Sequence, residues 1–199
     1  MTGPDAAPGE LQGSGELPGS GELPGPAAIL IGPPGAGKST VGGLLASRLG
    51  LGFLDTDDLV ETAAGKPVGD IFIDDGEAQF RALEREAVAQ AITGQDGVIA
   101  LGSGAVLDAG TRQRLAGQRV VYLETGFAAV ARRTGIDAPH PPLPGNPRAR
   151  LRALLTDRAA LYQELALITA PTDEDDPEQL AEKIAAALPL GTAQPGGTP

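Results

Sequence analysis

A parallel β-sheet flanked by helices on both faces, an α/β fold, is what this sequence of 199 residues predicts. Three observations carry it. Apolar runs of strand length alternate along the chain with longer stretches of helical apolar spacing. One strand–helix junction holds Gly32-Pro33-Pro34-Gly35-Ala36-Gly37-Lys38-Ser39, which fits G-x-x-x-x-G-K-[ST]. The hydrophobic fraction of 41%, with no cysteine, suits one domain that is stabilised by its core and not by disulfides.

The elements follow in order. Ala27-Ala28-Ile29-Leu30-Ile31 reads as a buried parallel strand, and a helix starts near Lys38 and runs through Val41–Leu49. Leu51-Gly52-Phe53-Leu54 is a short second strand ending in Asp55-Thr56-Asp57-Asp58. Helices are predicted at about 58–64 and 67–74, then from Glu77 to Ile92 with Ala78, Leu83, Ala87, Val88 and Ala91 on the inner side. A third strand, Val98–Leu101, ends at Gly102-Ser103-Gly104; a helix at about 109–116 leads to strand 119–123, and another helix lies near 127–133. Pro139, Pro141, Pro142, Pro144 and Pro147 deny regular structure to 135–147, and a long loop in a compact domain suits a lid. A helix over 148–165, a strand at Leu167-Ile168-Thr169 and a closing helix over 177–188 complete the domain.

Residues 27–188 therefore form the predicted domain, between a loose tail at 189–199 and an amino-terminal arm at 1–26. The arm has no Lys or Arg and repeats Gly-Ser-Gly-Glu-Leu-Pro at 13–18 and 19–24, a composition expected to stay disordered. It lacks the basic start and apolar stretch of a secretory signal, and no apolar run approaches membrane-spanning length, so a cytoplasmic location is expected. The net charge of −11 speaks against a nucleic-acid surface. A single histidine and no cysteine leave no thiolate or multi-histidine metal centre, so the expected metal is Mg²⁺ brought by a nucleotide. Asp173-Glu174-Asp175-Asp176 reads as a solvated acidic run, and a monomer is the simplest expectation.

The glycine-rich loop supplies a chemical reason for its residue types. Glycines let backbone N–H groups crowd around phosphate oxygens, Lys38 reaches the β- and γ-phosphates, the Ser39 hydroxyl suits Mg²⁺, and the following helix adds its positive end. Phosphoryl transfer also needs a group that orients the acceptor hydroxyl. Asp55 and Asp57, two apart after a strand, both face the crevice at the carboxyl end of the sheet if the chain stays extended there. One can hold a water of the metal shell and the other can accept a hydrogen bond from the acceptor; alternatively, the segment caps the next helix. Arg81 and Glu84 form an i,i+3 pair that elsewhere is often a surface feature.

Taken together, Lys38, Asp55-Thr56-Asp57, the segment Asp74–Glu84 and Leu101-Gly102-Ser103-Gly104-Ala105-Val106 resemble the shikimate kinases over about residues 27–188. The resemblance implies a five-stranded parallel sheet of P-loop kinase type with a lid, and transfer of the γ-phosphate of ATP to the 3-hydroxyl of shikimate. It implies that Gly35, Ala36, Gly37, Lys38, Ser39 and Thr40 bind ATP, that Ser39 ligates Mg²⁺ directly, and that Asp55 does so through water. Asp57 would hold the shikimate hydroxyls and act as base. Arg81 and Arg158 would take the carboxylate, a role that suits a planar guanidinium. Gly102, Ser103 and Gly104 would line the shikimate, Arg133 would stack on adenine, and Phe72 and Phe80 match apolar pocket walls, although core packing explains both equally well.

Three places depart from the family pattern, one of them Thr169-Ala170-Pro171-Thr172, which lacks the arginine often found on the adenine side. Ser103 stands where a glycine triplet has its middle residue, and still offers a backbone N–H. His140, in Ala138-Pro139-His140-Pro141-Pro142-Leu143, stands where the lid has an arginine that reaches the transferring phosphate. An imidazole with an ordinary pKa near ~6.5 is mostly neutral at neutral pH, so it is no simple substitute; it reads as a phosphate contact or as a solvated loop histidine. Arg148 and Arg150 lie just beyond as alternative cations. A gluconate or nucleoside monophosphate kinase, and a nucleotide-binding protein with little catalysis, are the rival functions.

Overall fold

The computed structural model describes residues 11–13, 25–135, 146–173 and 176–189. Its centre is β2, Ala28–Ile31. To one side lie β4, Val98–Ala100, and then β3, Phe53–Asp55; to the other lie β5, Val120–Glu124, and β6, Ile168–Pro171. These five strands are parallel. A two-residue strand, β1, Gln12–Gly13, adds antiparallel to the outer edge of β6, giving the order β1-β6-β5-β2-β4-β3. The arm expected to be wholly disordered therefore places Gln12 and Gly13 in the sheet, because an edge strand offers backbone groups to any extended segment that reaches it.

The alternation of side chains along β2 divides the core. Ala28 and Leu30 join Leu45, Leu180, Ala181 and Ile184 on one face, under α1, Lys38–Leu49, and α8, Pro177–Ala187. Ile29 and Ile31 join Val88, Leu115 and Tyr162 on the other, under α4, Gly76–Gly94, α5, Ala109–Leu115, and α7, Pro147–Leu165. Two short helices, α2, Thr56–Ala64, and α3, Val68–Asp74, pack with α4 around Val60, Ile71, Phe80 and Ala87. The remaining helix, α6, Phe127–Arg133, packs on α7 through Val130 and Leu151. Because β2 has β4 on one side and β5 on the other, the chain reverses its direction of travel there, and the crevice beyond its carboxyl end is the ligand position of such sheets.

Three sequence expectations shift. The inner side of α4 is Phe80, Glu84, Ala87, Val88 and Ala91; Ala78 is exposed, because the inward stripe runs one position away from it and includes a carboxylate. Asp55 closes β3 and α2 starts at Thr56, two residues earlier than expected, so Asp57 is helical and not extended. The acidic run is partly structural: Asp176 caps α8 through the Glu178 N–H at 2.8 Å, and Asp173 accepts from the Gly126 N–H at 3.0 Å. His140, almost all of the 135–147 loop and residues 190–199 lie outside the described residues.

Candidate active site

The loop between β2 and α1 is shaped by glycine where shape is needed. Gly35 and Gly37 have φ of 72° and 89°, in the region that other residues rarely adopt. Gly37 caps α1 without any side-chain hydrogen bond, so the first N–H groups of that 12-residue helix keep their donor capacity for a ligand. Lys38 folds back on its own loop, donating from Nζ to the carbonyls of Gly32 and Pro33, each at 3.0 Å. Burial lowers its pKa to about 8, against the opposing pull of Asp57 and Asp55.

Ser39, on the first turn of α1, donates from Oγ to Asp55 Oδ2 at 2.7 Å, and the other carboxylate oxygen of Asp55 accepts the Asp57 N–H at 3.1 Å. Asp55 is thus both the cap of α2 and a partner of the phosphate loop, so the capping and the functional readings of this segment hold together. The cap turns Asp57 into the same cleft. That cleft, about 330 Å³, is lined by Pro34, Gly35, Lys38, Ser39, Asp55, Asp57 and Ser103, among others. Burial first, then the charges of Asp55 and Glu84, push the Asp57 carboxyl up to about 6, with Lys38 acting the other way.

The turn after β4 faces these groups. The Gly102 N–H donates to Thr56 Oγ1 at 3.1 Å, tying the turn to α2. A Cβ on Gly102 would stand 2.8 Å from both Asp57 Oδ1 and Glu84 Oε1, and one on Gly104 would run into the Arg81 guanidinium. The glycines at these two positions therefore admit the polar side chains of α2 and α4. Arg81 donates to buried Glu84 at 2.6 Å and to Glu77 at 3.3 Å, and lies over the Phe80 ring. Arg158 donates from Nη1 to the Ser103 carbonyl at 3.1 Å, which also accepts from the Tyr162 hydroxyl at 2.6 Å. Phe80 is buried in the α2–α3–α4 core, which is the packing reading; Phe72 lies 4.4 Å from it, ring centroid to ring centroid, and is exposed.

A second cavity, about 180 Å³, adjoins the phosphate loop on its other side, lined by Ala36, Gly37, Thr40, Val41, Arg133, Thr172, Pro177 and Leu180. Arg133 is held at its rim by hydrogen bonds to Thr172 Oγ1 at 3.1 Å, the Thr172 carbonyl at 2.8 Å and the Gly35 carbonyl at 3.3 Å.

The structure thus brings Gly35 to Thr40, Asp55, Asp57, Ser103 and Arg133 to the walls of two adjoining cavities. Arg81 and Arg158 line neither and reach the site only through the turn after β4, against Gly104 and on the Ser103 carbonyl; His140 is outside the described residues. Sequence reasoning assigned no role to Thr56, Glu84, Tyr162, Pro177 or Leu180. Thr56 and Glu84 sit inside segments that carried the family signal, but a threonine between two aspartates and the acid of an i,i+3 pair both pass for ordinary helix residues. No short-range signal marks Leu180, which reaches the cavity through the packing of α8.

A phosphate loop at the carboxyl end of a five-stranded parallel sheet, with Asp55 and Asp57 in the same cleft, defines the chain as a P-loop kinase by fold. The shikimate kinase family model matches residues 34–189. A shikimate kinase of Thermobifida fusca is 58% identical over 164 residues, covering 82% of this chain and 95% of that protein. One of Streptomyces coelicolor is 48% identical over 168 residues, covering 84% and 98%. Among solved structures, shikimate kinase from Acinetobacter baumannii in complex with shikimate superposes with a TM-score of 0.72 at 39% identity, covering 79% of this chain and 89% of that one. This chain belongs to the shikimate kinase family. Among the described residues, no helix is long and apolar enough to cross a membrane.

Proposed function

We propose that the protein transfers the γ-phosphate of ATP to the 3-hydroxyl of shikimate. The observation that carries this reading is the single cleft in which Lys38, Ser39, Asp55, Asp57 and Ser103 meet, with Arg81 and Arg158 packed against its glycine turn. The loop and the start of α1 hold the phosphates, with Lys38 exchanging its bonds to Gly32 and Pro33 for phosphate oxygens. The acceptor hydroxyl oxygen attacks the γ-phosphorus, the bond from that phosphorus to the ADP oxygen breaks, and the hydroxyl proton passes to the Asp57 carboxylate. A pKa near 6 leaves Asp57 largely ionised at neutral pH and still basic enough to accept that proton. Arg81 and Arg158 bind the acceptor carboxylate and so fix which hydroxyl faces the phosphate.

The Ser39 hydroxyl and Asp55 carboxylate, 2.7 Å apart, form an oxygen pair that fits a hard divalent cation, and would hold Mg²⁺. When bound, that ion neutralises phosphate charge. Arg133, with Pro177 and Leu180, forms the seat of the adenine base.

The direct test is ADP release from MgATP with shikimate, gluconate, a nucleoside monophosphate or no acceptor. Shikimate-dependent release is expected, and gluconate- or nucleotide-dependent release would replace this reading. Nucleotide binding without acceptor-dependent turnover would favour a binding protein instead, a reading prompted by His140 in the place of the family's lid arginine. In that case His140→Arg should raise kcat.

A further inference from the structure

We infer that the outer edge of β6, with the adjoining face of α8, is a docking site for the amino-terminal arm's own repeat, and that docking there stiffens the base-side cavity. The arm contains Gly-Glu-Leu three times at six-residue intervals, at Gly9–Leu11, Gly15–Leu17 and Gly21–Leu23. The leucine of the first unit, Leu11, packs against the core cluster that contains Ile168, Ala170, Leu180, Ala181 and Ile184. The next two residues pair antiparallel with β6, Gln12 opposite Thr169 and Gly13 opposite Ile168. Side chain and backbone therefore engage one site together, the pattern of strand addition to an open edge.

The site matches its occupant in length. Leu167 donates its N–H to Val120 of β5, so Ile168, one residue on, turns its N–H to the outer edge. Pro171 has no N–H, and Thr172 donates to the Glu124 carbonyl beyond it. The open edge is thus only a few residues long. The first unit also suits extended pairing better than the other two. Gln12 follows Leu11, whereas Pro18 and Pro24 follow Leu17 and Leu23 and lock φ near −65°, far from the roughly −140° of an antiparallel strand.

The tether favours the chain's own arm over a second copy. Arg119, just before β5, donates to the Pro26 carbonyl at 3.0 Å and pins the root of the arm at the start of β2, two strands away from β6. Strands lie about 5 Å apart, and residues 14–25 can span roughly 40 Å. An intramolecular segment on so short a tether competes at an effective concentration of about millimolar.

Leu180 connects the edge to the site: it belongs to the cluster that Leu11 covers, and it lines the cavity beside Arg133 and Thr172. β6 itself leads directly into Thr172, which holds Arg133 in place. The coupling to ATP rests on the base-site reading above; the docking does not.

Two measurements on the full chain separate them. Leu11→Asp should speed amide hydrogen exchange at Ile168 and Ala170 by tenfold or more and raise the KM for ATP about threefold, with the KM for shikimate unchanged; Leu17→Asp should change none of these. Unaltered exchange in Leu11→Asp, or an equal effect of Leu17→Asp, would overturn the docking of the first unit. Protection that grows with protein concentration alongside a doubled mass would assign the arm to a second copy and overturn the intramolecular site. Faster exchange with an unchanged KM for ATP would overturn the coupling alone.

Discussion

Glu84, buried on α4, accepts a 2.6 Å hydrogen bond from Arg81 Nη1, while its other carboxylate oxygen stands against Gly102 in the turn after β4. One buried carboxylate thus sets the position of the arginine and touches the turn that must receive the acceptor. Its charge also raises the pKa of Asp57.

Glu84→Gln keeps the shape and removes the charge, so two readouts should move together. The KM for shikimate should rise about tenfold as Arg81 loses its buried charged partner and keeps only the exposed Glu77, with the KM for ATP unchanged. The acid limb of the pH profile should shift downward, because one of the charges that raise Asp57 is gone. Steady-state kinetics across pH checks both, and an unchanged limb would show that Glu84 acts on Arg81 alone.

The pH dependence of the wild type follows from two groups. Transfer needs Asp57 ionised, which holds above about 6, and Lys38 protonated, which holds below about 8. The profile of kcat/KM should be bell-shaped with its maximum near pH 7. A rate that stays level down to pH 5 would remove Asp57 as the base.

Asp57→Asn should abolish transfer and leave ATP binding nearly intact, measured by turnover and by calorimetric titration. It should also stabilise the fold, with a definite sign. The folded pKa of Asp57 is raised above its ordinary value of 3.8 to about 6, so its favourable contribution, present below the lower value, is lost as pH rises through the upper one. The asparagine variant should match the wild type near pH 4 and exceed it at pH 8 by about 1 kcal/mol, a figure discounted for partial solvent screening. Thermal melts at the two pH values test this.

The sheet, its helices and most of the site were legible because they depend on local signals: apolar runs of strand length, a glycine-rich junction ending in Lys-Ser, and aspartates at the end of a strand. The start of α2 was not, since Asp-Thr-Asp-Asp supports either an extended continuation or a cap, and the 3.1 Å bond from the Asp57 N–H to Asp55 Oδ1 settles it for the cap. The burial of Glu84 was not legible either, because it is decided by the distant turn at Gly102 and not by its own helix. The strand at Gln12–Gly13 was hidden for a similar reason: it forms on an edge supplied by residues more than 150 positions later.

The double duty of Asp55 predicts a double defect. Asp55→Ala removes the cap on α2 and should cost about 1 kcal/mol of stability in denaturant titrations. It also deprives Ser39 of its partner, so the Mg²⁺ concentration for half-maximal turnover should rise about tenfold. A stability loss with an unchanged Mg²⁺ requirement would confine Asp55 to capping.

Ser103 and Tyr162 separate the side chain of the turn from its backbone. Beside the Gly102–Thr56 bond, two side-chain contacts fix this turn, from Arg158 at 3.1 Å and Tyr162 at 2.6 Å; both end on the Ser103 carbonyl, and no non-glycine residue among those described has positive φ. Ser103→Gly leaves both contacts in place, so it should cost up to ~1 kcal/mol through backbone entropy and change the KM for shikimate less than about threefold. Tyr162→Phe removes the shorter bond and leaves Arg158 as the remaining donor to that carbonyl. Its KM for shikimate should therefore rise more, by about fivefold, from the loss of roughly 1 kcal/mol of positioning. If the serine variant proved the more damaging of the two, the Ser103 hydroxyl and not its carbonyl would be the group that matters to the acceptor.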